Sequence, residues 1–221
     1  MLTHRTSLRL FESRRIVKAT AIRCLRIEGF LTVFLTVLIL FLQMNTDTPL
    51  SFSSRITYSI ILITSFCWCS SIILAPMLID KGGFASKFAA GTYYFFSSYC
   101  HQAEARSFHL FGHQLAVCSR CTSIYFSFLL GVIAYPFFHR LNNITLPKIF
   151  PLIIAGCLLA ADAVLDIMGI MNNTFLTRTV TGGFLGLLLP FYLIPGFVKV
   201  TGDIESALRK NKTKKICSQT D

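Results

Sequence analysis

Long apolar blocks alternate with short polar breaks along this chain. Residues 31–42 and 56–78 carry no charged side chain. Such blocks approach the ~20 residues that span a bilayer as helix. Backbone N–H and C=O groups cannot face lipid unsatisfied, so the blocks read as helices and not as strands. The pattern predicts spans at 29–44, 57–79, 117–138, 148–171 and 179–199. A shorter segment at 88–99, rich in Phe and Tyr, follows the break Asp80-Lys81-Gly82-Gly83. The fold class is therefore an all-α integral membrane helical bundle of about six transmembrane helices. The third is the short one, and if it is re-entrant the count falls to five and one terminus changes sides.

Three regions follow: a basic, partly amphipathic lead at 1–28, a transmembrane domain at 29–200, and a basic tail at 201–221. The sequence Gln43-Met44-Asn45-Thr46-Asp47 after the first block has no small-x-small cleavage site, so that block reads as an uncleaved anchor. Composition agrees with a membrane protein. Of 221 residues, 53% are hydrophobic and 14% charged, where soluble domains run near a quarter charged.

The net charge of +11 would suggest nucleic acid in a soluble protein, but its placement argues against that partner. Arg5, Arg9, Arg14, Arg15, Lys18, Arg23 and Arg26 precede the first block. Lys199, Arg209, Lys210, Lys212, Lys214 and Lys215 lie at or beyond the end of the last. Basic residues flanking spans mark the cytoplasmic side and meet anionic headgroups. The expected partner is the lipid bilayer of the inner or plasma membrane, with both termini cytoplasmic. Six spans would put the loops at 80–87 and 139–148 inside and those at 45–56, 100–116 and 172–178 outside.

The densest polar stretch is Cys100-His101-Gln102, Arg106-Ser107-Phe108-His109, Gly112-His113-Gln114 and Cys118-Ser119-Arg120-Cys121. It holds three of the eight cysteines and three of the five histidines. Thiolate and imidazole suit zinc or another borderline or soft metal ion. Cys118 and Cys121 have the spacing that lets both sulfurs reach one ion. Cys100 with His101 or His113 would complete four ligands. The same residues permit a redox dithiol, since Arg120 between the thiols favours thiolate. A structural disulfide facing an oxidising compartment, or unlinked packing cysteines, are the other readings.

Asp162 and Asp166 lie at i and i+4 in the fifth span and share a helix face. Carboxylates in an apolar span are costly and face a partner, an interior or water. Arg178 and Arg106 are their expected partners, with Asp162 pairing to one of them beneath the Cys/His loop. Asp162, Arg106, Arg120 and Arg178 are the candidate catalytic residues, Asp162 as base or as support for a metal-held substrate. A buried Asp–Arg pair that serves only packing is the alternative. Cys67 and Cys69 are two apart inside a span and point to different helix faces. No phosphate loop, nucleophile elbow or His-Glu-x-x-His motif is present.

The string Cys100-His101-Gln102, Arg106-Ser107-Phe108, Gly112-His113-Gln114, Cys118-Ser119-Arg120-Cys121-Thr122 and Tyr125 resembles a family of prokaryotic membrane proteins, domain of unknown function 2085. Asp162, Arg178 and Thr181-Gly182 resemble its second signature. The resemblance covers about residues 85–190. It departs at Ser123, where the family has Gly, and at 162–166, where the family reads Asp-Gly-x-Thr-Gln. Asp162 matches that pattern and Asp166 does not. The resemblance implies a membrane fold and leaves three functional classes open: a metal-dependent membrane enzyme, a thiol-disulfide oxidoreductase using Cys118 and Cys121, and a transporter or metal carrier.

Overall fold

In a computed structural model, the described residues are 52–139, 146–170 and 173–217. The basic lead at 1–28 and the expected first span at 29–44 lie outside them. Among the described residues, four helices are long and apolar enough to cross a membrane: Ser54–Lys81, Ser119–Phe138, Phe150–Ile167 and Phe175–Leu208. They belong to α1 (Phe52–Leu78, continued by a 3-10 turn at Ile79–Lys81), α3 (Ser119–Phe138), α4 (Phe150–Ile167) and α5 (Phe175–Cys217). The described residues are all-α apart from one hairpin of two-residue strands, β1 (His109–Leu110) with β2 (His113–Gln114). Phe111 (φ 57°) and Gly112 (φ 87°) occupy the left-handed turn positions that such a short hairpin demands.

The remaining helix, α2 (Gly83–Ser97), has 15 residues. At 1.5 Å per residue it reaches about 22 Å, short of a ~30 Å hydrocarbon core. It turns back from α1 through Gly82 and Gly83, both at positive φ, and lies antiparallel to α1. Its last turn meets Trp68, with Phe95 and Phe96 at ring distances of 5.5 and 5.2 Å. The loop after it then doubles back, and His113 Nε2 reaches Asp80 Oδ2 at 2.7 Å. The 80–83 turn and the 100–116 loop therefore share one end of the bundle. The six-span arrangement expected them on opposite faces; the short third segment is not among the helices long and apolar enough to cross a membrane.

The other helices alternate in direction. Tyr58 donates to the Val132 carbonyl at 2.8 Å and the Cys69 thiol to that of Tyr125 at 3.4 Å, so α1 and α3 run antiparallel. α5 packs most extensively on α3 and runs parallel to it. Small residues allow this approach. A Cβ at Gly182 would stand 2.8 Å from the Arg120 carbonyl oxygen, one at Gly131 2.7 Å from that of Leu187, and one at Gly186 would collide with the backbone of Ile124. At the far end Thr57 and Thr201 share a hydroxyl hydrogen bond of 3.1 Å. α4 is peripheral, with Ala155 its one buried residue. Ile153, Leu158 and Val164 face outward, as lipid-facing positions should. α5 stays helical to Cys217, through the first part of the basic tail.

Candidate metal centre

The Cys/His loop is held in place from three sides. Gln102, in a left-handed conformation (φ 48°), donates its side-chain amide to the carbonyls of Tyr93 (2.7 Å) and Ala116 (2.8 Å). It thereby ties α2 to the segment that leads into α3. Tyr93 hydrogen-bonds the Gln114 carbonyl, and Leu115 N–H reaches Phe108 O at 2.7 Å. The hairpin is pinned outward to Asp80 by His113, and Arg106 pins the loop's 3-10 turn to Asp166 at 3.2 Å. Beneath it, Leu115, Ala116 and Val117 are buried with Ile72, Ala75 and Phe96.

On this support three sulfurs converge. The Sγ atoms of Cys100, Cys118 and Cys121 all lie within 4.8 Å of one another. Cys118 N–H donates to Cys100 Sγ at 3.2 Å. Cys118 is the N-cap of α3 and Cys121 sits in its first turn, where free N–H groups and the positive end of the helix dipole favour thiolate. The Cys118 thiol is held well below its ordinary range. Hydrogen bonds with the Cys100 and Cys121 side chains are the main cause, against an opposing push from burial. All three cysteines are free thiols. Sulfurs at ~2.3 Å from a tetrahedral zinc would stand about 3.8 Å apart. The 4.8 Å limit that holds all three sulfurs is compatible with such an ion.

The histidines stand apart from this group. His101 is exposed, and the His113 ring is engaged by Asp80. The grouping among the described residues is thus three cysteines, without the imidazole that sequence spacing suggested as a fourth donor.

The acidic pair is also partnered differently from the expectation. Asp162 is not paired with Arg178 or Arg106. Its carboxylate accepts from Arg120 at 2.5 Å and from the Thr181 hydroxyl at 3.5 Å, while its carbonyl accepts from Asn173 at 2.6 Å. Asp166 takes both: Arg178 donates to each of its oxygens at 3.0 Å, and Arg106 lies at 3.2 Å. The shift has a simple geometric origin. Arg178 is on the first turn of α5 and Asp166 on the last of α4, so the short turn between them brings these two level. Asp162, one turn lower, meets Arg120 of α3. Asp166 was the residue the family pattern did not cover. The i, i+4 spacing with Asp162 was its only signal.

Helices α3, α4 and α5 are thus cross-linked by ion pairs at the end that carries the three cysteines. Arg120 links the two features, lying between Cys118 and Cys121 and reaching across to α4. Nε of Arg120 and of Arg178 is buried without a hydrogen-bond partner among the described residues.

Fold and site together define a multi-pass helical membrane protein with a three-cysteine cluster at one end. A model of predicted membrane proteins, DUF2085, matches residues 100–192, the stretch that contains all three cysteines, both aspartates and all three arginines. The uncharacterized protein MJ1492 of Methanocaldococcus jannaschii is 36% identical over 146 residues, which are 65% of this chain and 94% of that protein. The chain belongs to the DUF2085 family. No solved structure matches it.

Proposed function

We propose that Cys100, Cys118 and Cys121 bind a zinc-type or softer metal ion at the external face of the membrane, and that the protein is a metal-dependent membrane enzyme. The convergence of three free sulfurs within 4.8 Å, drawn from a loop and a helix start, supports this reading best. Three protein ligands leave a fourth position for substrate or water, which is the pattern of catalytic sites. A bound ion there would act as a Lewis acid. Asp162 is engaged by Arg120 and Thr181, which suits it to positioning the first turn of α3 rather than to free base chemistry. Arg106, Arg120 and Arg178 leave the paired cluster one positive charge in excess of Asp162 and Asp166, favourable to an anionic group of substrate.

The external assignment rests on charge. The end opposite the cysteines holds Arg55, Lys148, Lys199 and Lys210, and the sequence adds Arg209, Lys212, Lys214 and Lys215. At the cysteine end Arg106, Arg120 and Arg178 share two aspartates, which offsets all but one of their charges, and Lys81 and Lys87 are the other basic residues. The positive-inside rule puts the first end, with the C-terminus, in the cytoplasm. Because α1 begins at that end, a crossing by residues 29–44 would carry the basic lead outside, and its charge argues for the cytoplasmic side.

A second reading draws on the same sulfurs. Two of three thiols this close can form a disulfide, which makes a thiol oxidoreductase the alternative. Elemental analysis of detergent-purified protein beside free-thiol titration separates the two. Near-stoichiometric metal supports the metal centre. Absence of metal with reversible two-thiol oxidation supports the dithiol.

A further inference from the structure

The re-entrant helix leaves a gap beneath it. α2 ends at Trp68, where a full-length span would have continued between α1 and α3. Below lies a cleft of about 300 Å³ bounded by Thr64, Trp68, Tyr125, Phe128 and Leu189. Its walls are apolar in effect, since the Ser65 hydroxyl is spent on its own helix at Ile61 O (2.6 Å). The cleft opens outward at Thr64, which is exposed.

Its depth identifies what fills it. The three sulfurs lie level with Ile72 and Ala75 of α1, with which Cys100 packs. Thr64 to Trp68 are one to three turns further in, and Tyr125 to Phe128 one to two turns below Cys121. At 1.5 Å per residue that is roughly 5–15 Å further in, near the middle of the candidate spans Ser54–Lys81 and Ser119–Phe138. A groove that opens sideways at this depth meets hydrocarbon chains. It also neighbours the metal centre, because Trp68 and Tyr125 line the cleft and pack against the cluster that contains Cys100.

We propose that the cleft binds a hydrocarbon chain of an outer-leaflet membrane lipid, so that the ligand of the three-cysteine site is an amphiphile whose headgroup rests at the sulfurs. This names the substrate class for the metal reading and rests on it. The rigid rings of Trp68, Tyr125 and Phe128 order the chain, and the excess positive charge of the arginines at the same end suits an anionic headgroup.

The test uses the full chain in phosphatidylglycerol–phosphatidylcholine vesicles that contain a trace of phosphatidylglycerol with a mid-chain diazirine. Adducts are mapped by mass spectrometry after irradiation, and metal content is measured on the same samples. The expected result is labelling at Trp68, Tyr125 and Phe128 well above that at Ile153 and Leu158 on the lipid-facing side of α4. Ser65→Trp, which fills the cleft, lowers it about tenfold, equivalent to roughly 1.4 kcal/mol of occupancy, and leaves metal content unchanged. Thr64→Trp at the rim does the same if Ser65→Trp fails to fold. Even labelling over all helices, or cleft labelling that neither variant lowers, overturns the proposal. So do cross-links from the cleft to residues 29–44 in place of lipid. Metal present with even labelling defeats the lipid alone. Cleft labelling without metal leaves lipid occupancy standing and defeats the metal reading.

Discussion

Neutralising Asp162 probes how the ion pairs support the cysteines. Asp162 and Arg120 face each other at 2.5 Å, with side chains 9% and 21% exposed. Removing one partner of a buried pair outright costs about 3–5 kcal/mol. Asp162→Asn is milder, since the amide oxygen still accepts from Arg120 and from Thr181. What is lost is the excess of a doubly charged hydrogen bond over a singly charged one, about 1–2 kcal/mol on the usual spread of such bonds. Arg120 can also extend toward headgroup phosphates and recover part of that. The more weakly held guanidinium loosens the turn between Cys118 and Cys121, so metal affinity should fall toward the lower end of the 10–100-fold range typical of groups that orient ligands. Equilibrium unfolding in mixed micelles reads the stability, and chelator competition reads the affinity. A double-mutant cycle with Arg120→Gln should show a coupling above about 1 kcal/mol. Additivity within ~0.5 kcal/mol, together with unchanged metal affinity, would refute the argument that this pair positions the site.

Three further outcomes are expected. Cys100→Ser, Cys118→Ser and Cys121→Ser should each lose bound metal, whereas Cys67→Ser and Cys69→Ser should keep it, since both lie outside the three-sulfur group; full occupancy in all three of the first set would end the metal reading. Cysteine-accessibility labelling in intact cells, at introduced sites, should place Gly82 and Gly112 on the same, external face and Asp203 on the other; opposite faces for Gly82 and Gly112 would restore a crossing third helix. Gly186→Ala should destabilise by about 1–3 kcal/mol through overpacking, because its Cβ collides with the backbone of Ile124; a neutral result in the same unfolding assay would show that α3 and α5 separate freely.

Hydrophobic periodicity carries the helices well because bilayer thickness imposes a length on every crossing segment. The expected spans at 57–79, 117–138 and 148–171 each overlap a described helix that is long and apolar enough, and 179–199 lies within α5. Charge asymmetry could not decide the third segment. Lys81 and Lys87 read as cytoplasmic only while 88–99 was assumed to cross. What argues against a crossing is a contact between side chains 33 residues apart, His113 with Asp80. No local pattern encodes that contact, because each residue is an ordinary loop residue in its own context.

The site divides along the same line. The three cysteines were legible because thiols are scarce and two of them sit at helix-start spacing, and so was the presence of Asp–Arg pairing, since carboxylates at that depth need a cation. Which arginine meets which aspartate was not legible, because it depends on rotation and height of α4 against α3 and α5 by a single turn. Gln102 shows the same limit from the other side. It stands inside the motif beside Cys100, and its chemistry suggests a ligand contact, yet both donors of its amide go to backbone carbonyls that close the loop. The short α2 that escaped the charge argument also shapes the chemistry. A crossing helix would have filled the space below Trp68, and the three sulfurs would then sit over a closed bundle. By turning back, α2 makes a roof instead of a wall. The cleft below Trp68 then opens at the exposed Thr64.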